Sequence, residues 1–235
     1  MEKQGDTETI DVFIGKDVIT DNPNLLRVED IDRKYVYRFL KRMMDMLGSI
    51  LGLVVLSPLF LVIAIAIQKE EKNSPVFFSQ IRIGKNGRKF KMYKFRSMCE
   101  DAETKLEDLL QHNEVEGAMF KIKDDPRVTK IGKFIRKTSI DELPQLWNVL
   151  KGDMSLVGPR PPLEREVKEY STYDKQRLLI KPGCTGVWQV SGRNNVSFSD
   201  MVEMDIGYIK ELSILNDITI MVKTVWIMIK PKGAY

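Results

Sequence analysis

The stretch "LSPLFL", residues 56–61, sits inside the longest apolar run of the chain, and its reading decides how the molecule is arranged. Residues 46–68 carry no charge, and 46–67 are almost continuously apolar. As a helix that run reaches about 33 Å, against a hydrocarbon core of roughly 30 Å. A signal peptide does not fit, because a long and often charged segment precedes it. Pro58 removes an i→i−4 hydrogen bond and clashes with the preceding turn, which bends a helix near its midpoint. The hydroxyl of Ser57 can satisfy the freed carbonyl. Arg33, Lys34, Arg38, Lys41 and Arg42 lie upstream; Lys69, Lys72, Arg82, Lys85, Arg88, Lys89, Lys91 and Lys94 lie downstream. Two basic flanks agree with both ends being cytoplasmic. Break and charge together predict a re-entrant helix that dips into one leaflet, turns at Ser57–Pro58 and returns. A kinked ordinary span is the alternative.

Two further segments read as surface anchors. From Val36, the residues Leu40, Met43, Met44 and Leu47 share one helical face and Lys34, Arg38, Lys41 and Asp45 another. Near the end, Ile218, Met221, Val222, Val225, Trp226 and Ile229 form one stripe, with Asn216 or Asp217 as the expected N-cap. Lys223, Lys230 and Lys232 would then sit at headgroups. Packing of that stripe on a protein core is the competing reading.

Composition narrows the chemistry. The chain has 235 residues, 30% charged and 43% hydrophobic, as in a globular protein. A net charge of +4 suits anionic partners without choosing among them. Cys99 and Cys184 are the only cysteines and His112 the only histidine, which excludes a disulfide framework and disfavours a zinc site. His112, in the polar run "LLQHNEVEG", reads as a solvated loop residue rather than a general base.

Three regions follow. Residues 1–34 form a polar leader, 35–72 the interfacial and re-entrant helices, and 73–235 a cytosolic domain ending in the interfacial helix. Within it, "SPVFFSQIRIGKNGRKFKMYKF" (74–95) predicts a β-hairpin turning at "GKNGR". "SMCE" (97–100) fits a capping box opening a helix that runs to about His112. Asp125–Pro126 fits the start of a short helix carrying Val128, Ile131 and Ile135. Further helices are expected over 139–151, 162–180, 199–212 and 216–230, separated by the loops "SLVGPRPP" and "KPGCTGVWQVSGRNN". The fold class is α+β, mainly helical, with a small β-hairpin.

The block "IRKTSIDELPQLWNVLKGDMSLVGPRPP" (135–162) carries the chemistry. It places Asp141 and Glu142 at an expected helix N-terminus, with either Ser139 or Asp141 as the cap and Pro144 favouring the later start. The helix dipole would keep a carboxylate there ionised and steady a phosphoryl group. Arg136 and Lys137 precede it, and Arg160 follows in a proline-stiffened loop suited to bidentate phosphate contacts. A nucleophilic carboxylate, a second carboxylate for Mg²⁺, and cations for phosphate oxygens are the parts phosphoryl transfer needs. Asp-Glu pairs at helix starts are also ordinary caps, so residue types alone leave both readings open.

These motifs closely resemble the bacterial sugar transferases, the monotopic phosphoglycosyl (polyprenyl-phosphate hexose-1-phosphate) transferases. The resemblance runs from about Tyr35 to "KGAY", through "KMYKFRSM" (91–98), "DDPRVTKIGKFIRKTSIDELPQLWNVLKGDMSLVGPRP" (124–161) and "KPGCTGVWQVSGRNN" (181–195). It implies a re-entrant helix broken at Ser57–Pro58, with Asp141 as nucleophile of an aspartyl-phosphosugar intermediate and Glu142, with Asp141, in an Mg²⁺ site. Arg136, Arg160, Lys94 and Arg96 would line the substrate site. The implied partners are a UDP-hexose (glucose or galactose), undecaprenyl phosphate and membrane lipids, with no nucleic acid and with room for a homodimer. The implied location is the bacterial cytoplasmic membrane, with the site facing the cytoplasm. This chain has "TGVWQVSGR" where many members have "TGWAQVNGR", placing Trp188 one position later. A glycosyltransferase releasing UDP and a non-enzymatic membrane adaptor are the rival classes.

Overall fold

In the computed structural model, the described residues are 25–72, 74–102, 104–105, 125–191 and 196–229. Most of the polar leader, His112 and the "KGAY" tail therefore lie outside the described residues. A short helix α1 (Val28–Asp32) leads into α2 (Tyr35–Val55) and α3 (Ser57–Glu70), which meet at a 58° bend. The expected interfacial helix and the first half of the broken run are thus one continuous helix. The bend has the cause the sequence gives it. The Ser57 hydroxyl donates to the Val54 carbonyl at 2.8 Å, and Pro58 occupies the first turn of α3, where its missing N–H costs nothing. No single described helix is long and apolar enough to cross a membrane.

The polarity of α2 is inverted relative to a helix on a soluble core. Val36, Phe39, Leu40, Met43, Leu47, Leu51 and Val54 are exposed, whereas Asp45 and Ser49 are buried. The inner face makes polar contacts. Asp45 accepts from the Ser155 hydroxyl (3.0 Å) and the Leu156 N–H (2.9 Å). Arg42 donates to the Val149 and Leu150 carbonyls at 2.8 and 2.9 Å. Along α3, Leu61, Val62 and Ile65 face outward, while Ile63 and Ile67 pack with Phe95 and Ile135.

The hairpin forms as the sequence predicts. Strand β1 (Phe77–Ile83) pairs antiparallel with β2 (Lys89–Phe95), Phe78 opposite Lys94 and Ile83 opposite Lys89. Its turn places Asn86 at φ 56° and Gly87 at φ 77°, conformations that these two residue types tolerate. The helix expected from Ser97 is absent over residues 97–102 and 104–105; the remainder of the span to His112 lies outside the described residues. Instead Met98 bridges Val128, and Cys99 N–H donates to the Arg127 carbonyl at 2.9 Å, so backbone pairing outcompetes the capping signal. Asp125 does not start a helix either. It binds Arg127 at 2.6 Å in a buried pair, and α4 (Lys130–Lys137) begins later, at a Thr129 cap.

The remainder is α5 (Gln145–Lys151), β3 (Ser155–Val157), α6 (Glu164–Lys168), β4 (Gly183–Thr185), α7 (Val187–Ser191), α8 (Phe198–Lys210) and α9 (Ile214–Ile229). The single helix expected over 162–180 is instead α6 and a 3₁₀ segment, Asp174–Leu179. Strands β3 and β4 form a short parallel pair that the sequence reading had as loops. Glycines make this pair: a Cβ on Gly183 would collide with the backbone N–H of Gly158, and one on Gly186 would lie 2.6 Å from the Gly158 carbonyl oxygen.

Helix α9 starts at Ile214, two residues before the expected cap. Asp217 is not a cap; it is fully buried and binds Tyr208 (2.6 Å), Tyr37 (3.0 Å) and Lys41 (2.9 Å), pinning α9 and α8 to α2. Of the expected stripe, Ile218, Val222, Val225 and Trp226 are exposed, with Leu215 beside them, whereas Met221 packs against the core cluster around Ile220. Gly183→Ala should cost about 3 kcal/mol, because the obstacle is backbone rather than a movable side chain. Urea denaturation of the two proteins in the same detergent would measure it.

Candidate active site

The carboxylates are placed by a junction rather than by a long helix. The continuous helix expected over 139–151 is broken: Ile140–Glu142 form one 3₁₀ turn, and α5 begins only after Pro144. Neither expected cap operates. Ser139 takes a left-handed conformation, φ 57°, instead of the extended one an N-cap requires, and Asp141 lies within the 3₁₀ turn. This sharp reversal lets Ile140 join the Ile63–Ile67–Phe95–Ile135 cluster while Asp141 turns toward β2. The second arm of the bent helix pair therefore shares one apolar cluster with the turn that carries the carboxylates.

Strand β2 delivers Lys94. Its Nζ lies 2.7 Å from Glu142 Oε1 and 4.0 Å from Asp141 Oδ2. The strand is held at that height by Asn148, which is completely buried in α5. The Asn148 side-chain N–H₂ donates to the Lys91 carbonyl (2.7 Å) and to Asp153 Oδ2 (3.2 Å), and its oxygen accepts from the Tyr93 N–H (3.0 Å). One amide thus acts as an extra strand edge. Sequence reasoning missed it, although a polar residue beside Val149 on a helix's inner face is a legible signal.

Burial dominates the electrostatics of Asp141. Its carboxyl is raised from 3.8 to about 6 by desolvation, opposed by Lys94, raised further by Glu142 and opposed by Arg136. Burial outweighs whatever the short helix supplies and raises the group to about 6, which still agrees with a carboxylate ionised at neutral pH.

Of the sequence-derived site residues, Lys94, Asp141 and Glu142 come together, and the charge of Arg136, exposed on the outer face of α4, acts on Asp141. Arg160 and Glu142 both act on the buried Arg82, which places the Gly158–Pro162 loop on the Glu142 side. Arg96 points elsewhere; its Nε donates to the Pro75 carbonyl at 2.7 Å and closes the base of the hairpin. Ser57 and Pro58 sit at the helix bend, as a structural feature rather than part of this cluster. Among the described residues no three His, Cys, Asp or Glu side chains gather into a metal cage. Two adjacent carboxylates still fit a hard cation that takes its remaining ligands from substrate phosphates and water.

The site is a buried carboxylate beside a lysine, next to a bent pair of helices whose outer face is apolar. Over residues 36–231 the chain matches the bacterial sugar transferase family, and it belongs to that family. It is 52% identical over 86% of its length to the galactosyl transferase CpsE of Streptococcus agalactiae serotype III, covering 44% of that protein. It is 46% identical over 90% of its length to the UDP-galactose-lipid carrier transferase of Erwinia amylovora, covering 45% of it. It is 42% identical over 83% of its length to the exopolysaccharide production protein ExoY of Sinorhizobium fredii, covering 88% of it. The chain thus spans less than half the length of the first two relatives.

Two outcomes follow from the site's energetics. Between pH 4 and 6 the native Asp141 holds a proton that the unfolded chain releases, so stability falls as pH rises through that window and stays lower above it. Asp141→Asn should therefore raise the stability of the metal-free protein by about 1–3 kcal/mol at pH 7.5 and lose that advantage below pH 4. Thermal melts across pH would show it. Asn148→Ala should destabilise by about 2–4 kcal/mol, by stranding buried backbone groups of β2 and leaving a cavity, with a matched loss of turnover.

Proposed function

We propose that the chain transfers a hexose-1-phosphate from a UDP-sugar, UDP-galactose in the first instance, to undecaprenyl phosphate, releasing UMP. The observation that carries this reading is the Asp141 carboxylate: buried, ionised at neutral pH, within reach of Lys94, and built against the arm of an apolar helix pair. The names of two relatives, a UDP-galactose-lipid carrier transferase and the undecaprenyl-phosphate galactose phosphotransferase of Salmonella typhimurium, support the choice of substrates.

In the first step an Asp141 oxygen attacks the sugar-bearing phosphorus, and the bond from that phosphorus to the bridging oxygen breaks. UMP departs with the electron pair, leaving an aspartyl-phosphosugar. In the second, a phosphate oxygen of the polyprenyl carrier attacks the same phosphorus. The bond to Asp141 breaks, the carboxylate is regenerated, and a polyprenyl-diphosphate sugar forms. Desolvation makes the carboxylate a better nucleophile, and Lys94 opposes its protonation. Arg136 and Arg160 contribute positive charge where phosphate oxygens would lie. Asp141 and Glu142 would hold Mg²⁺, which would neutralise the diphosphate during transfer.

The exposed apolar faces of α2, α3 and α9 are the membrane-binding surface in this reading. The packing of both arms of the bent pair on the same body supports a helix that enters a single leaflet with its ends on the cytoplasmic side. That sets Asp141 near the depth of a lipid phosphate.

The test is nucleotide release in bilayer nanodiscs with Mg²⁺, undecaprenyl phosphate and a panel of UDP-sugars. UMP from one sugar is expected, lost in Asp141→Asn and on chelation of the metal. Release of UDP instead would overturn the reading in favour of plain glycosyl transfer.

A further inference from the structure

Arg82 sits in β1 with only 7% of its surface exposed. Buried arginines are ordinarily matched by a carboxylate, because an unpaired cation in the interior is costly. Here the guanidinium is spent on neutral acceptors. Nη1 donates to the Pro161 carbonyl at 3.1 Å and Nη2 to the side-chain oxygen of Gln80 at 2.8 Å. Its Nε–H is buried and, among the described residues, finds no acceptor. The next residue repeats the attachment, Ile83 N–H donating to the Pro162 carbonyl at 3.0 Å. The loop carrying Arg160 is therefore fastened to β1 at two consecutive carbonyls.

The surrounding charges do not neutralise this cation. Burial first, then repulsion from Arg160 and Arg165, pushes the Arg82 guanidinium down to about 10 against the pull of Glu166 and Glu142. Two carboxylates feel its field, Glu166 and Glu142, and each already accepts from another group. Glu166 Oε2 takes the Leu163 N–H at 2.7 Å, and Glu142 Oε1 takes Lys94 at 2.7 Å. The result is a fixed, under-compensated positive charge behind a second arginine, on the side of the catalytic turn.

We propose that Arg82 is a positioning residue for the diphosphate: it holds the Arg160 loop against β1 and adds a buried positive charge that an incoming diphosphate neutralises. This rests on the phosphosugar-transfer reading above. Arg82 need not touch the substrate. It acts through Arg160 and through the potential of the site, which costs nothing to reorganise because both its donors are anchored. Arginine suits the task better than lysine, since its planar fork spans two acceptors at once and its charge persists when buried.

The experiment uses the full chain in nanodiscs and compares Arg82→Gln, Arg82→Lys, Arg160→Met and the Arg82→Gln/Arg160→Met double variant with wild type. Arg82→Gln keeps a donor for Pro161 and removes the charge; Arg82→Lys keeps the charge. The readouts are inhibition constants for UDP and for uridine, KM and kcat with UDP-galactose, and the melting temperature. Arg82→Gln is expected to weaken UDP and raise KM by about tenfold while changing uridine less than about twofold. Arg82→Lys should recover most of the loss, and the double variant should lose less than the product of the two singles. Equal losses for UDP and uridine, or unchanged UDP affinity with a lowered melting temperature, would reduce Arg82 to a packing role and overturn the proposal. If wild type binds UDP and turns over but Arg82→Gln matches it, this inference alone fails. A wild type that binds no UDP removes the phosphosugar reading and this inference with it.

Discussion

The structure depends on how a helix with an apolar outer face is held to its own protein. In the proposed membrane reading, an apolar surface gains little by leaving lipid for protein, so hydrophobic burial alone would not fix such a helix in place. The chain meets this with charged and polar groups on the inner face of the bent pair. Lys41 reaches Asp217, Arg42 caps the last carbonyls of α5, and Asp45 holds β3. At the far end, Glu70 accepts from the Lys130 and Ile131 N–H groups at 2.7 and 2.8 Å, binding α3 to the start of α4. Each is a directional contact, so orientation as well as attachment is specified.

The same scaffold makes the site. Helix α3, α4 and the turn at Ile140 share one cluster, so a shift of α3 would be felt at the turn that carries Asp141. From the other side, Asn148 fixes β2 to α5 and so sets Lys94 against the carboxylates. Asp141 is left desolvated, a condition unfavourable to folding and favourable to nucleophilicity. Its neighbours confine the cost to a level the fold tolerates.

What was legible in the sequence was what is local and punctuated. Pro58 announces the helix break, because a ring without an N–H can sit only in a first turn. The hairpin and the position of its turn were readable, because Asn86 and Gly87 accept the left-handed conformation. Capping signals misled where a distant partner outbid them. Asp217 looked like a cap, but its partners Tyr37 and Lys41 are some 180 residues away in sequence. The Ser97 box lost to backbone pairing with Arg127 and Val128. The carboxylate pair, Arg136 and Arg160 were named from residue types and spacing, and Lys94 and Arg96 from the family resemblance; Lys94 meets the carboxylates, whereas the contacts of Asn148 and Arg82 are long-range and were not legible.

The backbone contact between Gly158 and Gly183 bears on attempts to alter what the protein accepts. Two loops that meet through glycines with no side chain between them share one surface; neither can be reshaped while the other stays still. Chimeras between relatives would have to exchange segments 155–162 and 181–191 together, as a matched cassette. A graft of either alone would carry the donor's loop onto a foreign floor, and its failure would report the seam rather than the specificity being sought.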